Sequence, residues 1–169
     1  MPNNNIIDER NNNIQIYING SFYLRDDAKI SVFDSGFLLG DGIWEGIRLV
    51  KNEWLFIDEH IDRLFEGCLA IDIKLDLSRD EIKEAILETQ KINNMSDSAH
   101  ARVMITRGDK IKPFQQPSLS TSGINFVIIM EHSSESPNSN GIKLVTVPQV
   151  RGLPMSQDPK LNSHSKLNC

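Results

Sequence analysis

Arginine is the residue type in this chain best suited to gripping an anionic ligand. A guanidinium presents a planar fork of N–H donors that matches the oxygens of phosphate and carboxylate. Arg63 falls in the first turns of a predicted helix whose inner face is set by Ile61, Leu64 and Phe65. It offers either a solvated surface charge or an anion anchor, and a nearby helix N-terminus would add to the second role. Arg102 and Arg107 lie five positions apart in ARVMITRG. An odd offset on a strand sends them to opposite faces, so one of them at most can point into a given pocket. His100 shares the face of Arg102. Arg107 reads as a turn residue pairing with an acid such as Asp109. Arg102, at the start of a strand rich in Val, Met and Ile, needs a partner if buried, and a carboxylate ligand would serve. His60 opens a helix, and His132 sits in linker-like sequence. No two histidines have metal-ligand spacing, so no metal is expected. GFLLGDG at 36–42 matches neither a Walker loop nor the dinucleotide fingerprint. It reads as a loop whose glycines take positive φ.

Periodicity predicts the elements that would hold these side chains. Residues 1–13 contain six asparagines and read as a loose, disordered lead-in. IQIYI alternates, Asn19-Gly20 makes a hairpin turn, and SFYLR returns. Lys29 to Phe33 reads as a further short strand, and IWEGIRLV as another before the apolar run WLFI. Asp58 is the predicted N-cap of a helix with Ile61, Leu64, Phe65, Cys68 and Leu69 on its inner face. Ser78 and Glu81 form a capping box for a second helix with inner stripe Ile82, Ala85, Ile86 and Thr89, ending at Asn93-Asn94. ARVMITRG and INFVIIM are strands separated by a loop at 109–123. The sum is an α+β fold with a mostly antiparallel sheet and two main helices. An N-terminal domain at 14–131, a linker at 132–141 and an incomplete second domain at 142–169, opening on the strand IKLVTV, are the expected boundaries.

Composition narrows the class. Hydrophobic residues at 39% and charged residues at 24% describe a soluble globular chain. A net charge of −5 supplies no electrostatic pull toward nucleic acid. No apolar run approaches membrane-spanning length, and the polar start lacks a signal peptide's layout. Two cysteines, Cys68 and Cys169, are too few for a disulfide framework, which makes a reduced, cytoplasmic location the expectation.

YINGSF, VFDSGFLLGDGIWEGIR at 32–48, DEHIDRL at 58–64 and HARVMITRG, taken in order, resemble the class IV pyridoxal-phosphate aminotransferases. These include branched-chain and D-amino-acid aminotransferases and aminodeoxychorismate lyases. The resemblance runs from about Ile14 to the end of the chain. It implies the N-terminal domain of the D-amino-acid aminotransferase-like fold, with pyridoxal 5′-phosphate as cofactor and Arg63 as its phosphate-binding arginine. Arg102 falls on the substrate-contacting arginine, and His100 stands where the family usually has tyrosine. The loop around Phe37 would reach a neighbour's pocket in a homodimer.

The resemblance implies amino-group transfer between an amino acid, branched-chain-like, and a 2-oxo acid, with a lysine that carries the cofactor covalently. Counted without gaps, that lysine's position falls on Asn162, which cannot do so. Lys166, about one helical turn later, is the catalytic candidate, with Lys160 behind it. The family's acidic partner for the pyridine nitrogen and its second phosphate loop belong to the C-terminal domain, nearly all of which lies beyond this sequence. An aminodeoxychorismate lyase-like enzyme, and a truncated non-catalytic homologue acting only as a dimerising module, are the alternatives.

Overall fold

The computed structural model describes residues 8–133, 143–148, 150, 152, 153, 155, 156 and 158–165. Strands β1 (Gln15–Ile18) and β2 (Ser21–Leu24) pair with Ile18 opposite Ser21. The loop between them is Asn19-Gly20, with φ of 49° and 87°, the left-handed pair that a tight hairpin needs. These strands form one edge of a six-stranded sheet ordered β2-β1-β6-β5-β3-β4, in which every pairing is antiparallel. The remaining strands are β3 (Gly42–Val50), β4 (Glu53–Trp54), β5 (Ala99–Thr106) and β6 (Asn125–His132). The α+β expectation holds.

Two helices cover one face of the sheet. Helix α2 (Ile57–Ala70) buries Ile61, Leu64 and Cys68, and helix α3 (Arg79–Ile92) buries Ile82, Ala85, Ile86 and Thr89. They meet Ile43, Ile47 and Leu49 of β3, Ala101, Val103 and Ile105 of β5, and Ile128 and Met130 of β6. The capping box of α3 is present: Ser78 N donates to Glu81 Oε2 at 2.7 Å and Glu81 N to Ser78 Oγ at 3.2 Å. Burial pushes the Cys68 thiol up to about 12, as suits a core residue.

Several expectations need correction. The cap of α2 is Phe56, at φ 55°, and Asp58 lies inside the first turn, where its charge suits the helix dipole. Leu69 is 79% exposed, with Gly67 buried in its place on the inner face. GFLLGDG is no open loop. It carries a short helix, α1 (Ser35–Leu39), capped by Asp34, whose Oδ1 accepts from Phe37 N at 3.0 Å. Only Gly40 of its glycines takes positive φ (70°), where it ends the helix in the left-handed conformation. Lys29–Phe33 forms no strand. It is tied down by Lys110 N donating to Phe33 O and by a single bridge from Asp34 to Asp109, too little for a ladder. The apolar run WLFI supplies only the second of the two residues of β4 before α2 begins.

Residues 8–13 of the expected loose lead-in are ordered, with Asp8 capping a 3-10 turn at Glu9–Asn11; the rest of it lies outside the described residues. The Asn11 side chain then pairs with both backbone groups of His132, at 3.0 and 2.7 Å, as a strand would. Loop 109–123 is gathered around the buried Lys110, whose Nζ donates to Gln116 O and Ser120 Oγ. The linker's residues 134–141 lie outside the described residues, and 143–148 form no strand.

Residues 162–164 return to the sheet. Trp44 N donates to Asn162 O at 2.8 Å and His164 N to Gly42 O at 2.9 Å. This short segment lies along the edge of β3 opposite β5, where β4 pairs only with Leu49 and Val50.

Candidate functional site

Strand alternation places Glu45 inward, between Ile43 and Ile47, and leaves it 1% exposed. A carboxylate there is costly unless it is paired and hydrogen-bonded. Helix α2 supplies the partners. Arg63 Nε donates to Glu45 Oε1 and Arg63 NH2 to Oε2, both at 2.6 Å, a side-on bidentate pair. His60, one helical turn before Arg63 and on the same face, places Nδ1 2.8 Å from Oε2. An ionised carboxylate only accepts, so a hydrogen bond here requires the His60 tautomer with its proton on Nδ1. The bond to Glu45 holds the Arg63 guanidinium above its ordinary value against the opposing effect of burial, and it stays cationic.

Arg63 is not sealed in; its side chain is 47% exposed. It lines a cavity of about 300 Å³ with Glu66, Asp158, Lys160 and Asn162. Asn162 Nδ2 lies 3.5 Å from Glu45 Oε1. With Nε–H and one N–H of NH2 turned to Glu45, the NH1 group of Arg63 is left for an anion.

The other face of β3 carries the second cluster. Arg102 is paired in register with Gly46, and its guanidinium carbon sits 4.1 Å from the centroid of the Trp44 ring. Arg102 is exposed, so the need for a partner that burial would have imposed does not arise, and it stacks on Trp44. His100 lies beside it on the same face. A Cβ at residue 46 would stand 2.8 Å from His100 Nε2, so Gly46 is what admits the imidazole. Burial, then Arg102, then Arg48 depress the His100 pKa, with Glu131 opposing, and the ring is neutral at neutral pH.

Arg107 faces the helix layer, as its odd offset from Arg102 predicts, but pairs with Asp41 at 2.7 and 3.1 Å and not with Asp109. It also donates to Ile71 O and Asp72 O, closing the end of α2, and is structural. Phe37 is 73% exposed at the tip of α1. It lines a second cavity, about 280 Å³, on the open face with Ile16, Met104, Val127 and His164. His164 has a buried Nε2 with no hydrogen-bond partner, and its pKa is lowered, chiefly by burial.

Arg63 and Arg102 therefore address neighbouring residues of β3, Glu45 and Gly46, from opposite faces of the sheet, and do not share a pocket. Asn162 and Lys160 join Arg63; His100 joins Arg102; Lys166 lies outside the described residues. Sequence reasoning missed Glu45 and Trp44. The signal for Glu45 was available: in IWEGIRLV it falls on the face of Ile43 and Ile47, so it had to find a cation.

The family model described as "Amino-transferase class IV" matches residues 42–169. The branched-chain-amino-acid aminotransferase-like protein 1 of Arabidopsis thaliana is 37% identical over 145 residues, covering 85% of this chain and 26% of that protein. A putative branched-chain-amino-acid aminotransferase of Methanocaldococcus jannaschii is 43% identical over 95 residues, 56% of this chain and 33% of that protein. The branched-chain aminotransferase of the thermophilic archaeon Thermoproteus uzoniensis, solved with norvaline, superposes with a TM-score of 0.75 at 18% identity, over 90% of this chain and 52% of that one. The chain thus spans between about a quarter and a half of the length of these proteins. With the family model matched across about three quarters of the sequence, this chain belongs to the class IV aminotransferase family.

Proposed function

We propose that this chain forms the N-terminal part of a pyridoxal-phosphate enzyme that moves an amino group between a branched-chain-like amino acid and a 2-oxo acid. The observation that carries this reading is Arg63: a guanidinium fixed on a buried carboxylate through Nε and NH2, with NH1 outside that contact, lining a cavity of about 300 Å³. Arg63, with Lys160 and Asn162 in the same cavity, fits a phosphate in donor type, against the opposing charges of Glu66 and Asp158. The names of the Arabidopsis and Methanocaldococcus relatives support the substrate class.

When bound, pyridoxal phosphate supplies an electrophilic aldehyde and an electron-withdrawing ring. The chain's own residues do the rest. Arg63 anchors the phosphate. Arg102, held over Trp44 with neutral His100 beside it, is assigned to the substrate carboxylate from its place in the family motif; it lies on the open face and does not line the Arg63 cavity. Phe37 lies on that same face, the side a second copy would meet in a homodimer. The covalent attachment point is a lysine near Asn162: Lys166 from its place in the sequence, with Lys160, which lines the Arg63 cavity, as the competitor.

The position of Asn162 favours a second reading. Its carboxamide reaches toward Glu45 in the wall of the cavity and has no nucleophilic amine, as in a homologue that binds without catalysing. Borohydride reduction of the chain with pyridoxal phosphate, followed by peptide mapping, separates the two. Labelling of Lys166 or Lys160 is expected for the enzyme. Saturable binding with no labelled lysine would support the non-catalytic homologue, and no binding would end both.

A further inference from the structure

We propose that Glu45 is a positioning residue for cofactor binding: it fixes Arg63 side-on so that only the outer edge of the guanidinium meets the phosphate. This rests on the reading of Arg63 as the phosphate anchor and adds a role for a residue that touches no ligand. The geometry is unusual for an anchor that has only to be cationic. A surface arginine loses rotamer freedom when it binds, which weakens binding. Here that freedom is already gone, because both Glu45 contacts are 2.6 Å and the carboxylate is itself 1% exposed and immobile between Ile43 and Ile47. His60 takes a second bond on Oε2, so the carboxylate cannot rotate to follow Arg63 if the arginine is pulled toward a ligand. NH1 takes no part in the Glu45 contacts, and Arg63 lines the cavity.

Positioning separates from bulk structure in the comparison of two ligands that differ by the phosphate alone. Affinity is measured for pyridoxal 5′-phosphate and for pyridoxal, and their ratio is the readout. Glu45→Gln keeps the shape but presents an amide donor to a donor, so it is expected to lower the ratio by roughly tenfold, in line with a charge-assisted contact. Glu45→Asp keeps the charge, draws the carboxylate back by one methylene, and is expected to lower the ratio as well. An unchanged ratio in either folded variant overturns the inference. Arg63→Gln is the control on the underlying reading. If it leaves the ratio unchanged, Arg63 is not the anchor and the proposed function fails; if it collapses the ratio while the Glu45 variants do not, only the inference fails.

Should both Glu45 variants fail to fold, arginine side-chain NMR of the unmodified chain decides. The Arg63 Nε–H signal is expected to remain shifted and protected when pyridoxal phosphate is added. Its collapse to the free-arginine position would show that Arg63 leaves Glu45 to reach the phosphate, and would overturn the inference.

Discussion

The guanidinium carbon of Arg102 lies 4.1 Å from the centroid of the Trp44 ring, diagonal to it across the β3–β5 pairing, in which Arg102 stands opposite Gly46. The stack holds an exposed cation in one place without neutralising it, which a carboxylate partner would have done. Arg102→Ala is therefore expected to cost only about 0.5–1 kcal/mol in urea unfolding, the range for an exposed cation–π pair. If the proposed amino-group transfer is assayed, the same variant should raise KM for the 2-oxo acid much more than it lowers kcat. A loss in kcat alone would place Arg102 away from substrate.

The core of the helix layer sets global stability. Ile86 is 0% exposed beneath the sheet, so Ile86→Ala should cost about 2–5 kcal/mol. Ser78→Ala, which removes the capping-box hydroxyl, should cost about 1 kcal/mol. Denaturant midpoints for both variants check the order. Equal losses would mean that α3 is held by its cap and not by its buried face.

Stability should fall on mild acidification. His100, His132 and His164 all have pKa values lowered from the usual 6.5, each chiefly by burial. Well above pH 6.5 both states are neutral at these positions and stability is at its full value. Below it the unfolded chain takes up protons that the folded chain refuses, and stability drops until the folded pKa values are reached. The carboxylates with lowered pKa, such as Asp97, act in a lower window, as pH falls below the usual carboxylate range. Urea midpoints at about pH 7.5 and about pH 5.5 should therefore differ, with His100→Gln reducing the difference. A midpoint independent of pH over that interval would contradict the burial of these rings.

Phe37 bears on assembly. Phe37 is 73% exposed beside an apolar cavity on the open face and would serve as a contact in the proposed homodimer. Sedimentation should give a dimer for the unmodified chain and a monomer for Phe37→Asp, with melting of the monomer still cooperative. Identical masses for the two would remove Phe37 from the interface.

What was legible in the sequence is what is decided locally. The Asn19-Gly20 hairpin and the Ser78–Glu81 capping box need only residues within a few positions, and both are present. Helix α1 was missed because its five residues are too few for a periodic signal and its start depends on Asp34, which also accepts from Thr106 and Asn125 far along the chain. Lys29–Phe33 alternates like a strand but, among the described residues, gains only the bond from Lys110 N to Phe33 O and the adjoining Asp34–Asp109 bridge, not a ladder. Arg107 took Asp41, 66 positions away, over the nearby Asp109, because the strand's direction carries it toward the end of α2. Arg63 was recognisable as a candidate anchor. Its buried counter-ion Glu45 was missed although its place on the apolar face of β3 demanded a cation; which cation it takes is settled only when α2 packs on β3.

Arg63 as the anchor of the cofactor's phosphate is the central claim. Equilibrium titration of the chain and of Arg63→Gln with pyridoxal 5′-phosphate tests it most directly. Saturable binding by the unmodified chain, weakened by roughly tenfold or more in a variant that melts cooperatively, is the expected result. Superimposable isotherms for the two proteins would contradict it.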